Sequence, residues 1–173
     1  MIAGLTWNED AYPCFCCILV KKEQKRSETL DLPIEFIEVY KEIEAPSLRE
    51  VLNLLSIEKV STVYAQSGAK YMSYIYDFYQ WRREASSRIS LRPSVASSFE
   101  AGVLKIREIL KDNRLKFNDD SKIKSQLKIF SKLSLKNETE FYAVSALSNV
   151  IGAYSRKHRS LFVEKEPDLK AWT

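Results

Sequence analysis

An unbroken apolar run, Cys14-Phe15-Cys16-Cys17-Ile18-Leu19-Val20, sits close to the start of the chain. A short run that is apolar on both faces, bounded by polar and charged residues, is the pattern of a strand covered on both sides. The reading extends this strand from Tyr12 to Lys21 and places it centrally in its sheet. Alternation puts Cys14 and Cys16 on one face and Cys17 on the other. The three cysteines are read as small buried hydrophobes, because the single histidine, His158, is far away in sequence and a metal would need more ligands.

The flanking segments supply partners for that strand. Residues 1–7 read as a short strand ending at the polar cluster Asn8-Glu9-Asp10. Beyond a charged loop from Lys22 to Asp31, the segment Ile34 to Ile43 alternates as a third strand. Ser47 and Glu50 have capping-box spacing and open a helix with the stripe Leu48, Val51, Leu52 and Leu55. A β-branched strand follows at Val60 to Ala65, then a helix from Ser67 to Glu84 dense in aromatics: Tyr71, Tyr74, Tyr76, Phe78, Tyr79 and Trp81. These rings are read first as core and helix packing; a base-stacking platform is the sharper alternative.

Ile89 to Arg92 reads as a further strand stopped by Pro93. Ser97 and Glu100 form a second capping box ahead of Phe99, Val103, Ile106 and Leu110. Leu115 to Phe117 is extended. Asp119 and Asp120 start a helix carrying Ile123, Leu127 and Phe130 inward, and act as its N-terminal residues. Thr139 to Tyr154 is the last long helix, with Ala143, Leu147, Val150 and Tyr154 in register. Its small residues Ser145, Ser148 and Gly152 predict close packing against the sheet. Three strands joined without crossover helices predict an antiparallel meander, and the strand-helix alternation that follows demands crossovers. The fold class is therefore α/β, a mixed sheet of five or more strands flanked by helices. Residues 1–155 are expected to form one domain and 156–173 a basic, polar tail.

Composition agrees with a folded domain: 173 residues, 45% hydrophobic and 29% charged. The formal charge of +4 permits a nucleic-acid partner without demanding one. No stretch approaches the roughly 18 apolar residues of a membrane helix, and no signal-peptide pattern precedes Asn8. An intracellular protein without a membrane partner is expected.

Five short motifs, in order, resemble the nuclease domain of the large subunit of tailed-phage terminases, a ribonuclease-H-like family. They are Gly4-Leu5-Thr6-Trp7-Asn8, Val63-Tyr64-Ala65-Gln66-Ser67, Ser98-Phe99-Glu100-Ala101-Gly102-Val103, Arg114-Leu115-Lys116-Phe117, and Val144-Ser145-Ala146-Leu147-Ser148-Asn149. The resemblance covers residues 1 to about 155 and implies a ribonuclease-H-like fold, a phage or prophage origin and a host cytoplasm. It implies double-stranded DNA as ligand and a terminase ATPase or portal-type protein as partner. The ATPase domain that precedes this nuclease in the family is not within the 173 residues.

The family cuts DNA with two divalent metals held by clustered carboxylates, one ion activating water and the other stabilising the leaving oxygen. By carry-over its three acidic positions fall on Thr6, Gln66 and Ser145, all neutral here. Tyr142 takes the place of a family histidine one turn earlier. Neutral oxygens cannot supply the charge that holds two hard divalent ions, so no metal ligand and no cofactor are predicted, and a non-cleaving domain is the first reading. The second is an active endonuclease using Mg²⁺ or Mn²⁺ on relocated acids, with Asp10, Glu38 and Glu140 as candidates. Glu9 and Glu138 are weighed beside them, and each of the five otherwise reads as a solvated carboxylate, or at Glu138 and Glu140 as one favoured by the positive end of the helix dipole. A third is a protein-interaction module without DNA affinity. Ser145 with His158 makes no nucleophile site, since neither an elbow motif nor an orienting acid is present. For DNA contact the candidates are Arg82, Arg83, Arg88, Arg92, Lys122, Arg156, Lys157 and Arg159, expected to give salt-dependent, sequence-independent affinity.

Overall fold

The computed structural model describes residues 1–7, 14–24, 34–131, 136 and 138–159, with backbone alone at Gln24, Ile34 and 155–159. The apolar run near the N-terminus forms β2 (Cys14–Gln24), paired antiparallel on one side with β1 (Ile2–Thr6) and on the other with β3 (Ile34–Ala45). Helix α1 (Leu48–Ile57) leads to β4 (Thr62–Ala65). A 3-10 turn at Ala69–Tyr71 opens α2 (Met72–Glu84), which returns the chain to β5 (Ser90–Pro93). Helix α3 (Phe99–Lys111), the two-residue β6 (Leu115–Lys116), α4 (Lys122–Ile129) and α5 (Tyr142–Arg159) complete the described chain.

The sheet has six strands in the order β5-β4-β1-β2-β3-β6. β4 joins β1, β5 joins β4 and β6 joins β3 in parallel, so the sheet is mixed, as the crossover argument requires. β2 lies inside it, and its side chains from Cys14 to Leu19 are buried on both faces. Cys14, Cys16 and Ile18 meet α1 and α2 together with Val51, Leu52, Leu55, Phe78 and Trp81. Phe15, Cys17 and Leu19 meet α3, α4 and α5 through Val103, Ile106, Ile123, Leu147 and Ile151. Each large side chain so buried contributes about 1.5–3 kcal/mol relative to exposure. The cysteines are free and buried on the faces expected of them.

A bulge decides what β3 presents. Ile18 opposes Lys41 and Leu19 opposes Val39, so Tyr40 is the extra residue. Before it, Ile37 and Val39 face α3 to α5; after it, Ile43 and Ala45 face the opposite layer. The parity change turns Glu42 and Glu44 toward α4 and α5, where they meet Ser121, Lys122 and Tyr142.

Several boundaries differ from the sequence reading for local reasons. Ser98, not Ser97, caps α3 by accepting from Ala101 N at 3.1 Å. Ser121 caps α4 in place of Asp119 or Asp120, accepting from Lys124 N at 3.0 Å. Ser47 caps α1 as expected. Residues 138–141 form a turn, so α5 starts three residues later than periodicity predicts and its backbone continues to Arg159. Among the described residues no helix is long and apolar enough to cross a membrane.

Two glycines let α5 approach its neighbours. A Cβ on Gly4 would lie 1.9 Å from Ala146 O, and one on Gly102 would lie 2.4 Å from Ser148 Cβ. Thus Ser148 packs against α3 rather than against the sheet, while Ala146 meets the sheet at Gly4. The contact between α5 and β1 is also hydrogen-bonded: Asn149 Nδ2 donates to Leu5 O at 2.9 Å, and Thr6 Oγ1 donates to Tyr142 O at 2.9 Å.

Candidate functional site

The parallel strands β1 and β4 end side by side, with Leu5 opposite Ala65. Thr6 and Gln66 are therefore the next residues of adjacent strands, and α5 crosses above them. Gln66 Nε2 lies 3.1 Å from Ser145 Oγ and 3.0 Å from Glu138 Oε1, and Ser145 Oγ donates to the same carboxylate oxygen at 2.7 Å. The three side chains, one of them a carboxylate, close a triangle. Ser145 is fully buried, and Gln66 Oε1 is buried with no hydrogen-bond partner among the described residues. Trp7 Nε1 donates to Gln66 O at 2.7 Å while its ring stacks on Tyr74, centroids 5.6 Å apart, which fixes the end of β4. Thr6 joins this corner through the Tyr142 carbonyl and makes no bond to Gln66 or Ser145.

A second carboxylate borders the triangle across Tyr142. The Tyr142 hydroxyl donates to Glu44 Oε1 at 3.2 Å, and Lys122 Nζ donates to Glu44 Oε2 at 2.6 Å. The Lys122 ammonium also stands 4.9 Å from the Tyr142 ring centroid. Burial works against its charge, but the hydrogen bonds it donates to Glu44 and Tyr142 outweigh it and hold its pKa above the ordinary lysine value. Glu42 receives the Ser121 hydroxyl and, at 2.8 Å, the Lys122 backbone N–H.

The residues that sequence places at the three family positions thus occupy one corner of the molecule, and two of them touch. Their donor set does not fit a pair of divalent ions. Thr6, Gln66 and Ser145 offer neutral oxygen, and the one carboxylate among them, Glu138, already accepts two hydrogen bonds. Glu44, the next acid, is neutralised by Lys122. Among the described residues no group of three or more His, Cys, Asp or Glu could hold a metal.

The relocated acids fare differently from one another. Glu38 opposes Val20 and pairs with Lys22, whereas Glu44 occupies the row of Thr6 and Phe15. Six residues of strand separate the two glutamates, roughly 20 Å at about 3.3 Å each. Glu138, read as a solvated carboxylate, is the acid that reaches Gln66 and Ser145, because residues 138–141 turn back instead of extending α5. Glu140 points outward from that turn and is exposed, with its backbone carbonyl accepting from Gln126. Asp10 and Glu9 lie outside the described residues. Nothing in the local pattern around Glu138 marks it; the only hint is that a buried glutamine and serine need an acceptor.

The basic residues do not form one group. Arg82, whose Nε donates to Ser87 O at 3.3 Å, lies with exposed Arg83 and Arg88 around the turn between α2 and β5. Arg92 is exposed on β5, the edge strand. Lys122 bonds to β3, four strand spacings from β5, or about 19 Å. The side chains of Arg156, Lys157 and Arg159 lie outside the described set.

No family model, no curated protein and no solved structure matches this chain.

Proposed function

We propose that this chain is a ribonuclease-H-like domain, similar to a terminase nuclease, that binds double-stranded DNA or docks on a packaging motor without cutting. The observation that carries the reading is the Gln66–Ser145–Glu138 triangle. It lies at the corner where β1 and β4 end beneath α5, and it fills with mutual hydrogen bonds the space that metal-binding acids would need. The six-stranded mixed sheet with helices on both faces is compatible with such a fold. Neutral side chains at Thr6, Gln66 and Ser145, with one carboxylate already engaged in hydrogen bonds, suit a corner whose architecture persists while two-metal chemistry does not. The phage or prophage setting, the host cytoplasm and the ATPase or portal-type partner rest on the resemblance of the motifs.

The test is plasmid incubation in Mn²⁺ with a chelator control, beside duplex retention at low and moderate salt. The expected result is retention that weakens steeply between 50 and 200 mM salt, as phosphate contacts require, with no chelator-sensitive cutting. Cutting that disappears in Glu138→Ala or Glu140→Ala would establish the relocated-acid endonuclease instead. Stable capture by a motor or portal protein with no DNA affinity would support the interaction-module reading.

A further inference from the structure

The aromatic helix α2 divides its rings between two environments. Phe78 and Trp81 are buried, and Tyr74 stacks on Trp7. One flank is taken by α1, through Trp81 Nε1 donating to Asn53 Oδ1 at 2.7 Å and the Arg49–Glu84 ion pair at 2.5 Å. Met72, Tyr76, Tyr79 and Arg83 follow the spacing four, three, four, which sets them in one line along a helix. That line faces solvent: Met72 is 57% exposed, Tyr76 62%, Tyr79 44%, and Arg83 is exposed as well. Two neighbouring, well-exposed tyrosine rings on a rigid helix are a large apolar area to leave in water.

Charge chooses the occupant. The line itself carries no acid, and Arg83 makes no ion pair among the described residues. Next to it in sequence are Lys70, Arg82 and Arg88, against Asp77 and Glu84, and Glu84 is already paired with Arg49. A cationic border around exposed aromatic faces is complementary to a polyanion whose units carry flat rings. Duplex DNA keeps its base faces inside the stack, so only an unpaired strand can meet Tyr76 and Tyr79 face to face. The two rings are separated by about 4.5 Å along the helix axis, near the ~3.4 Å step of successive nucleotides in a strand.

We infer that α2 is a single-strand nucleic-acid platform: Tyr76 and Tyr79 stack on successive bases, Met72 extends the apolar track, and Arg83 meets the backbone. None of these four residues belongs to the Gln66–Ser145–Glu138 triangle, and the inference does not depend on the duplex-binding reading.

The test is fluorescence anisotropy of the full chain with a labelled 15-nucleotide oligo-dT and, in parallel, a mixed-sequence duplex of the same length. Oligo-dT is expected to bind in a salt-dependent manner. Tyr76→Ala/Tyr79→Ala should weaken it at least tenfold, since each ring lost is expected to lower affinity by about fivefold or more. Tyr76→Phe/Tyr79→Phe should retain affinity, because the ring face and not the hydroxyl makes the contact. Arg83→Ala should lower the slope of log affinity against log salt by about 0.7. All these positions are exposed, and circular dichroism checks that each variant is folded. Oligo-dT binding that is absent, or unchanged in the double alanine variant, overturns the inference, as does a concentration-dependent dimer that the double alanine variant abolishes while oligo-dT affinity is untouched. Loss of duplex affinity alone would overturn the duplex reading and leave this one standing.

Discussion

Replacing Glu138 by alanine separates a structural corner from a metal site. The substitution removes the acceptor of the Ser145 hydroxyl at 2.7 Å and of Gln66 Nε2 at 3.0 Å. Hydrogen bonds to a charged group are each worth about 1.5–3 kcal/mol. Glu138 is only half-buried, and Gln66 Nε2 keeps Ser145 Oγ at 3.1 Å, so the lower end applies. The combined loss is about 2–3 kcal/mol, which for a chain of this size lowers Tm by roughly 4–12 °C. Glu138→Gln retains an acceptor oxygen and gives up only the charge, so a loss near 1 kcal/mol is expected. The assay is thermal unfolding followed by circular dichroism, with and without Mn²⁺. A bound ion at a hundred times its Kd would add about 2.7 kcal/mol; the native protein is expected to show no such rise. The reasoning is refuted by a Glu138→Ala protein melting within about 1 °C of native. It is equally refuted by a Mn²⁺-dependent rise in the native protein that Glu138→Ala abolishes.

Other expectations concern the packing that makes the corner. Gly4→Ala places a methyl group 1.9 Å from the Ala146 carbonyl; helix α5 must move, and a loss of about 3 kcal/mol or more is expected in urea unfolding. Gly102→Ala meets Ser148 Cβ at 2.4 Å and should destabilise by about 1–3 kcal/mol. Asn149→Ala leaves the Leu5 carbonyl without its side-chain donor and should lower stability by about 1–3 kcal/mol in the same assay. The three cysteines should not react with a thiol reagent until the protein unfolds, when all three should titrate. Burial holds the Cys16 and Cys17 thiols above their ordinary pKa. The unfolded chain therefore loses these protons first, from about pH 8.5, and binds fewer of them than the folded chain. This contribution to stability is intact below that pH and falls as pH rises above it. Cys16→Ala/Cys17→Ala should flatten the decline of Tm between pH 8 and 10.5.

Helical and strand periodicity were legible because they report on local geometry. Leu48, Val51, Leu52 and Leu55 all pack inward on α1, and the faces of Cys14, Cys16 and Cys17 follow from alternation alone. The β3 bulge at Tyr40 was not legible, because the segment Ile34 to Ile43 reads as simple alternation. Its effect, turning Glu42 and Glu44 toward α4 and α5, needs the register against β2. The aromatic content of α2 was plain, but the split between buried Phe78 and Trp81 and exposed Tyr76 and Tyr79 depends on which side the sheet and α1 occupy.

What the sequence by itself determined is the secondary-structure order, the mixed sheet with a doubly covered strand, and the neutrality of Thr6, Gln66 and Ser145. Each follows from residue type and spacing along one stretch of chain. Only the tertiary structure decided that Gln66 and Ser145, 79 residues apart, share the Glu138 carboxylate. It alone also set Lys122 on Glu44 and left Glu38 at the far end of its strand. A carboxylate's partners are fixed by where strands end and helices cross, and a turn such as 138–141 can reverse the direction that periodicity assigns to a side chain.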